Sequence, residues 1–213
     1  THRLSSAASD VYKRQLLLRR WISSEKYKHC PHDFSKGVNM TTKRLIFYSL
    51  WFQIVWIIAV FGQEKLQWLA VSLVVGTYVY SQLVAPIKLE RVFLMALFGV
   101  MVDYANMALG IFRFEFNEFP IWLMALWFIF VWYAYFLVPI VSRFSILLVS
   151  IFGGVGGTLS YLAGEKLGAV YFPLPTTTTL LVLMVEWLLI AAVIIKVYGN
   201  ASDKMGYAGR VDR

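Results

Sequence analysis

Cysteine and histidine are almost absent from this chain of 213 residues. The one cysteine and the three histidines all lie before residue 33, at His2, His29, Cys30 and His32. From Met40 onward the sequence therefore offers no thiolate nucleophile, no imidazole relay, no disulfide and no cysteine or histidine ligand for zinc, haem or an iron–sulfur cluster. The segment 29–33 (His-Cys-Pro-His-Asp) lacks zinc-motif spacing and has no second half elsewhere. We predict no metal site and no cofactor.

Charge is scarce as well. Charged residues make up 15% of the chain and hydrophobic residues 59%, against about 25% and about 45–50% in soluble domains. So much apolar surface cannot be buried in one soluble core of this size. A soluble enzyme, a disordered chain and a disulfide scaffold are excluded, and the composition predicts an all-α, polytopic integral membrane bundle.

The first 39 residues differ in composition from the rest. They hold eight basic and three acidic residues, more than half of the net charge of +8. The string 5–15 (SSAASDVYKRQ) resembles a translated sequencing-adapter artefact, and Met40 leads directly into an apolar run. We expect residues 1–39 to be a non-native or disordered basic extension, 40–199 the membrane domain and 200–213 a short cytoplasmic tail. The alternative is a genuine basic arm that contacts anionic lipid.

Six apolar runs are long enough to cross a bilayer, for which about 20 residues are needed. The turn residues glycine and proline punctuate most of the intervening breaks. The predicted spans are 45–61, 66–85, 92–111, 121–141, 146–163 and 180–197.

The positive-inside rule orients these spans. With both termini in the cytoplasm, eight basic residues lie inside (Lys43, Arg44, Lys88, Arg91, Arg143, Lys204, Arg210, Arg213) and three outside (Lys65, Arg113, Lys166). We therefore predict a multi-pass protein of the bacterial inner membrane with cytoplasmic N- and C-termini. Its excess of basic residues follows the membrane topology and does not form a basic patch, so no nucleic-acid partner is expected.

Two connections have a distinctive composition. Residues 112–119 alternate aromatic and polar side chains, which favours an aromatic anchor lying at the outer interface over a strand that gates a substrate. Residues 164–179 form the longest predicted loop, on the outer surface, and include four consecutive threonines.

Span three carries polar and small residues at intervals of four and three: Gly99, Asp103, Asn106, Gly110 and then Arg113. This spacing places them on one helix face. A carboxyl at membrane depth is costly and usually faces the bundle interior, so Asp103 should find a partner on another helix or remain protonated.

Span five carries a second stripe, formed by Gly153, Gly157, Ser160 and Gly164. Small residues let helix backbones approach closely. We interpret Gly99, Gly110, Gly153, Gly157 and Gly164 as helix-packing positions. Two alternatives remain open for span five: the floor of a groove for a substrate or lipid chain, and a docking face for a homo- or hetero-oligomer.

Further polar residues lie in the middle to outer half of the predicted spans, and they could line one cavity with Asp103. The set of candidate substrate-binding residues is Gln53, Asp103, Asn106, Arg113, Ser160, Tyr161 and Glu186.

A family resemblance rests on several segments: 50–56 (LWFQIVW), Asp103 with Gly110, the tryptophans of 120–127, the stretch 156–170 and Glu186-Trp187. From about Met40 to Val197 the chain resembles a bacterial inner-membrane family of uncharacterised proteins, domain of unknown function 2878. The resemblance implies a membrane location and gives no reaction.

Three functions fit these features. The first is a carrier or binding protein for a small or lipidic molecule, with a polar intramembrane site around Asp103 and Glu186. The second is a membrane-embedded, lipid-modifying enzyme using carboxyl acid–base chemistry. The third is a structural or assembly subunit that docks through the glycine face of span five. The sequence leaves enzymatic activity open.

Overall fold

The computed structural model describes residues 34–84, 87–115 and 118–211, and within these ranges the side chains from Lys43 to Gly199. The chain divides into two units, Thr1–Arg44 and Leu45–Arg213. Residues 34–44 are helical. The interpretations of residues 1–33, including the segment 29–33, lie outside the described residues.

Five helices make up the described part of the chain: α1 (Phe34–Val84), α2 (Leu89–Ala108), α3 (Ile121–Val141), α4 (Ile146–Lys166) and α5 (Thr176–Val211). All five contain a stretch long and apolar enough to cross a membrane. The protein is therefore a multi-pass, all-α membrane protein. The two spans predicted at 45–61 and 66–85 both fall on α1, which is continuous except for one non-helical residue, Gln63.

That first helix reverses direction at Gln63, the one residue within it that leaves helical geometry, with φ 43° and ψ −128°. The Trp51 indole N–H donates a 2.9 Å hydrogen bond to the Thr77 hydroxyl, 26 residues further on. In a straight helix these residues would be about 39 Å apart. The halves before and after Gln63 therefore lie side by side, and the predicted break at 62–65 is a tight reversal rather than a loop.

Helix α3 is the centre of the bundle. Half of its apolar window is buried, against a third or less for the other helices. It has no polar face, as expected of a membrane-spanning helix whose surroundings are apolar on every side. Hydrogen bonds attach it to both halves of α1, from Ser49 to Tyr133 and from Trp132 to Ser81.

The connections α2–α3 and α4–α5 meet at one end of the bundle, here called the Arg113 end. The backbone groups of Arg113 and Tyr171 exchange two hydrogen bonds of 2.8 Å. Phe112 is fully buried and packs on Tyr161, with ring centroids 5.4 Å apart, and Phe114 is buried against Trp122. Phe112 and Phe114 of the alternating segment thus insert their rings into the end of the bundle.

Two glycines end the helices that lead into these connections. Gly110 and Gly168 have φ of 73° and 70°, a left-handed conformation that glycine adopts without strain. After each, the chain bonds back to the last helical turn, Ile111 N–H to Asn106 and Ala169 N–H to Gly164, which is the Schellman arrangement. Gly110 was predicted to pack helices, and that interpretation was wrong: the helix ends at Ala108, and a Cβ at Gly110 would meet nothing within 4 Å.

The predicted loop 164–179 is shorter than expected, because α4 continues to Lys166 and α5 begins at Thr176. The threonine run forms the first turn of α5, where the Thr179 N–H bonds to the carbonyl of Pro175 at 3.1 Å.

Candidate functional site

Asp103 is the centre of a buried polar cluster. It lies on α2, its side chain is 2% exposed, and it accepts hydrogen bonds from two other helices. The Trp127 indole N–H of α3 donates to Oδ2 at 2.6 Å. The Tyr161 hydroxyl of α4 lies 2.5 Å from both Oδ1 and Oδ2. These partners offset the cost of placing a carboxyl at membrane depth.

One turn along α2, Asn106 extends the cluster to α5. Its Nδ2 donates to Oε2 of Glu186 at 2.7 Å. Asn106 is 2% exposed and Glu186 is half-buried. The spacing of Asp103 and Asn106 therefore does what the sequence pattern predicted: it points both side chains towards neighbouring helices. Arg113, the fifth member of that pattern, lies beyond the end of α2 with its side chain exposed.

Trp127 and Trp187 form a stacked pair beside the cluster, with ring centroids 5.3 Å apart and planes 5° from parallel. The backbone of a glycine packs against the outer face of each indole, Gly99 against Trp127 and Gly157 against Trp187. A Cβ at Gly99 would lie 2.1 Å from Trp127, and one at Gly157 would lie 2.0 Å from Trp187. Four helices meet at this pair, and only glycine leaves room for the two indoles.

The glycine face of α4 is covered by α5 of the same chain. A Cβ at Gly153 would lie 2.8 Å from Ala191, and one at Gly154 would lie 3.0 Å from Leu188. With Trp187 on Gly157, these contacts show that α5 of the same chain occupies much of this face. Docking of a partner through the rest of the face stays a prediction. Gly164 abuts Val170, at 3.3 Å from the position of a Cβ.

A cavity of about 680 Å³ lies next to the cluster. It is bounded by the first half of α1, α3, α4 and α5, and its wall on α3 extends from Trp122 to Val141, about 28 Å at the helical rise. Phe152 and Leu159 line it and are also exposed at the surface of the bundle. The cavity is therefore elongated and opens sideways along α4.

The wall is mostly apolar and aromatic. Gln53, Ser160 and Tyr161 reach the cavity near one level, where the Trp56 indole N–H donates to Ser160 Oγ at 2.9 Å. Tyr133 on α3 adds a further hydroxyl to the wall, which accepts from Ser49. Asp103, Asn106, Arg113 and Glu186 do not line it. The structure thus separates the predicted site residues: three lie on the cavity wall, and Asp103 lies behind Tyr161 and Trp127.

Tryptophans are the site residues that sequence reasoning missed. Trp56, Trp127 and Trp187 all line the cavity, and the sequence analysis attached no chemistry to any of them. A signal existed: an indole N–H at membrane depth needs an acceptor. Sequence spacing could not show that Trp56 meets Ser160 and Trp127 meets Asp103, because these partners lie on other helices.

The described residues contain no group of three or more His, Cys, Asp or Glu side chains that could hold a metal ion. What the arrangement offers is an apolar channel with hydrogen-bonding groups at one level, backed by a carboxyl that holds Tyr161 and Trp127 in place.

The fold and the site define a polytopic helical membrane protein with a buried carboxyl cluster beside a laterally open cavity. The family model described as "Protein of unknown function (DUF2878)" matches residues 45–193, and the chain belongs to this family. The comparisons with curated proteins and with solved structures found no match.

Proposed function

We propose that this protein binds, and carries within the membrane, an elongated lipidic molecule that lies in the cavity between α1, α3, α4 and α5. The observation that carries the proposal is the shape and chemistry of the cavity: about 680 Å³, apolar and aromatic, and open at the surface of the bundle. Its volume lies in the range typical of small-molecule sites, about 300–1,000 Å³.

The floor of the cavity supports an apolar chain as the occupant. Gly156 lines it, and a Cβ there would meet nothing within 4 Å, so a ligand can approach the backbone of α4. The lateral opening beside Phe152 and Leu159 would admit a molecule from the bilayer without passage through water. The glycines of α4 thus serve two purposes, since Gly157 packs against Trp187 and Gly156 faces the cavity.

The proposed setting is the bacterial inner membrane, with six crossings and both termini in the cytoplasm. The reversal at Gln63 supports counting α1 as two crossings, and the positive-inside distribution supports the orientation. In this topology the Arg113 end faces away from the cytoplasm.

Lipid co-purification tests the function. The protein is extracted in mild detergent, and its bound lipids are identified by mass spectrometry against the total lipid extract. We expect one lipid class to be enriched at a ratio near one per chain. Gly156→Leu should lose it, because the new side chain fills the cavity.

The matched control is Gly76→Leu. Gly76 is also a helical glycine whose Cβ would meet nothing within 4 Å, but it does not line the cavity. This variant should retain the lipid. The proposal fails if no class is enriched, or if Gly156→Leu retains as much lipid as Gly76→Leu.

A lipid-modifying enzyme is the second candidate, favoured by one contact: Tyr161, which lines the cavity, is hydrogen-bonded to the Asp103 carboxyl. In such a pair, Tyr161 could give its proton to a bound lipid and take one from a protonated Asp103, which is left as the carboxylate. Incubating the loaded protein and following its lipid by chromatographic retention and mass separates the two functions. An enzyme converts the lipid and Asp103→Asn does not, whereas a carrier leaves both the retention and the mass unchanged.

A further inference from the structure

We infer that the ligand is an uncharged lipid whose hydrogen-bonding group, a hydroxyl or carbonyl, is held at the level of Gln53, Ser160 and Tyr161. This inference rests on the proposed function and specifies its ligand. Three observations support it: the cavity wall has no charged residue, the wall carries hydrogen-bonding groups, and these groups lie towards one end of the cavity.

No residue that lines the cavity is charged. The carboxyls close to the wall in the fold are already engaged: Asp103 with Trp127 and Tyr161, and Glu186 with Asn106. Glu165, which follows the lining residue Gly164, pairs with Lys166 at 2.9 Å. An ionised headgroup would lose its hydration in this cavity without gaining a counter-ion, which is costly. A phosphate, a carboxylate or an ammonium group therefore does not fit the wall.

The polar groups of the wall match a neutral head. Ser160 Oγ accepts from Trp56, and among the described residues its own O–H proton has no acceptor, so it remains available for donation. The Tyr161 O–H donates to Asp103, which leaves its oxygen free to accept. A hydroxyl or a carbonyl oxygen could pair with these groups.

Gln53 supplies the third group. It lies on the first half of α1, three residues before Trp56 and therefore about 4.5 Å along the helix. Its side chain is exposed and lines the cavity, and it makes no hydrogen bond to any described residue. Polar side chains inside a membrane protein face its interior or a cavity and find partners there. The amide can both donate to and accept from a ligand head.

The position of this polar level determines the direction in which the apolar chain of the ligand extends along the cavity. Ser160 lies near the Arg113 end of α4, and the cavity continues along α4 to Val149, eleven residues or about 16 Å away. On α4, that stretch of wall consists of glycine, phenylalanine and other apolar residues. The apolar chain of the ligand therefore extends from the polar level towards the end of the bundle where Arg143 lies.

Three brominated probes with the same eighteen-carbon chain test the inference: an alcohol, its sulfate ester and a trimethylammonium analogue. Each is added to the protein in bilayer nanodiscs, and quenching of tryptophan fluorescence is recorded. Bromine quenches at short range, so a probe in the cavity acts on Trp127 and Trp187. The Gly156→Leu variant, whose cavity is filled, measures the quenching caused by probe dissolved in the bilayer. This background is subtracted from the quenching of the unmodified protein.

We expect the alcohol to show saturable quenching that Gly156→Leu abolishes, at affinity at least tenfold above that of either ionised probe. Gln53→Leu and Ser160→Ala should each weaken binding of the alcohol at least threefold, because each removes a side chain that can hydrogen-bond its head. Ser72→Ala, which removes a hydroxyl bonded only to the Trp68 carbonyl on the surface of the bundle, should leave the affinity for the alcohol unchanged.

The other outcomes have separate meanings. An ionised probe that binds as well as the alcohol overturns the neutral head and leaves the proposed function standing. Selective binding of the alcohol that survives both Gln53→Leu and Ser160→Ala overturns the assigned polar level. If no probe shows quenching that depends on Gly156, both the inference and the proposed function fail.

Discussion

The Tyr161 hydroxyl lies 2.5 Å from both carboxylate oxygens of Asp103 and so joins α4 to α2. The same tyrosine lines the cavity, whereas the carboxyl does not. Asp103 is thus a positioning residue: it fixes the ring that forms part of the wall and, through Trp127, the indole stacked on Trp187. Changes at Asp103 should reach a ligand only through these neighbours.

The pairing of Asp103 with Tyr161 predicts energetic coupling. We expect Asp103→Leu and Tyr161→Phe to show a coupling free energy of about 1–2 kcal/mol in a double-mutant cycle, near the upper end for membrane hydrogen bonds. Asp103→Leu should be the more damaging, since it also leaves the Trp127 N–H without an acceptor. The measurement is unfolding in mixed micelles at rising denaturing-detergent concentration.

The control for that cycle is Tyr133→Phe with Asp103→Leu. Tyr133 accepts a hydrogen bond from Ser49 and has no contact with the cluster, so the two effects should add within about 0.5 kcal/mol. Equal coupling for both tyrosines would contradict the direct contact.

Neighbouring glycines of α4 should respond differently to the same substitution. Gly157→Ala places a Cβ 2.0 Å from the Trp187 indole, whereas Gly156→Ala meets nothing within 4 Å. Overpacking costs about 1–3 kcal/mol, so Gly157→Ala should lower the unfolding temperature and Gly156→Ala should not. Thermal unfolding in detergent decides this, and an equal loss in both variants would show that Trp187 does not lie on Gly157.

The reversal at Gln63 predicts a stabilising substitution. Its φ of 43° is unfavourable for a residue with a side chain, at about 1–3 kcal/mol. Gln63→Gly should relieve this and raise the unfolding temperature. Gln67→Gly, four residues further on in regular helix, should lower the unfolding temperature, because a glycine within a helix costs about 1 kcal/mol of stability. Destabilisation of similar size by both substitutions would argue for a continuous helix at residue 63.

Labelling of single cysteines tests the proposed topology. In a Cys30→Ser background, Lys65→Cys and Lys166→Cys should react with a membrane-impermeant maleimide on intact cells. Lys88→Cys and Arg143→Cys should react only after the membrane is opened. All four positions are exposed in the structure. Labelling of positions 65 and 88 from the same side would exclude a crossing between them.

The helices could be predicted from the sequence because apolar length is a local property. The span 121–141 coincides with α3, and the face formed by Gly99, Asp103 and Asn106 packs inward. The pattern failed at Gly110 and Arg113, since helical spacing was continued past a glycine that ends the helix. The glycine itself was the available signal.

The contacts of the cluster could not be predicted, because they join side chains from separate helices. Nothing in the apolar sequence of α3 distinguishes Trp127 from its other tryptophans, yet Trp127 meets Asp103 and Trp132 meets Ser81. Likewise, nothing local separates Gly156, which faces the cavity, from Gly157, which is covered by Trp187.

A cryo-electron microscopy map of the protein in nanodiscs formed from native membrane would show whether a lipid occupies the cavity. We expect continuous, elongated density beside Gly156, with its polar end within hydrogen-bonding distance of Ser160 or Gln53. A cavity filled by the chain's own side chains, or one without ordered density at a resolution that shows the tryptophan rings, would contradict this expectation.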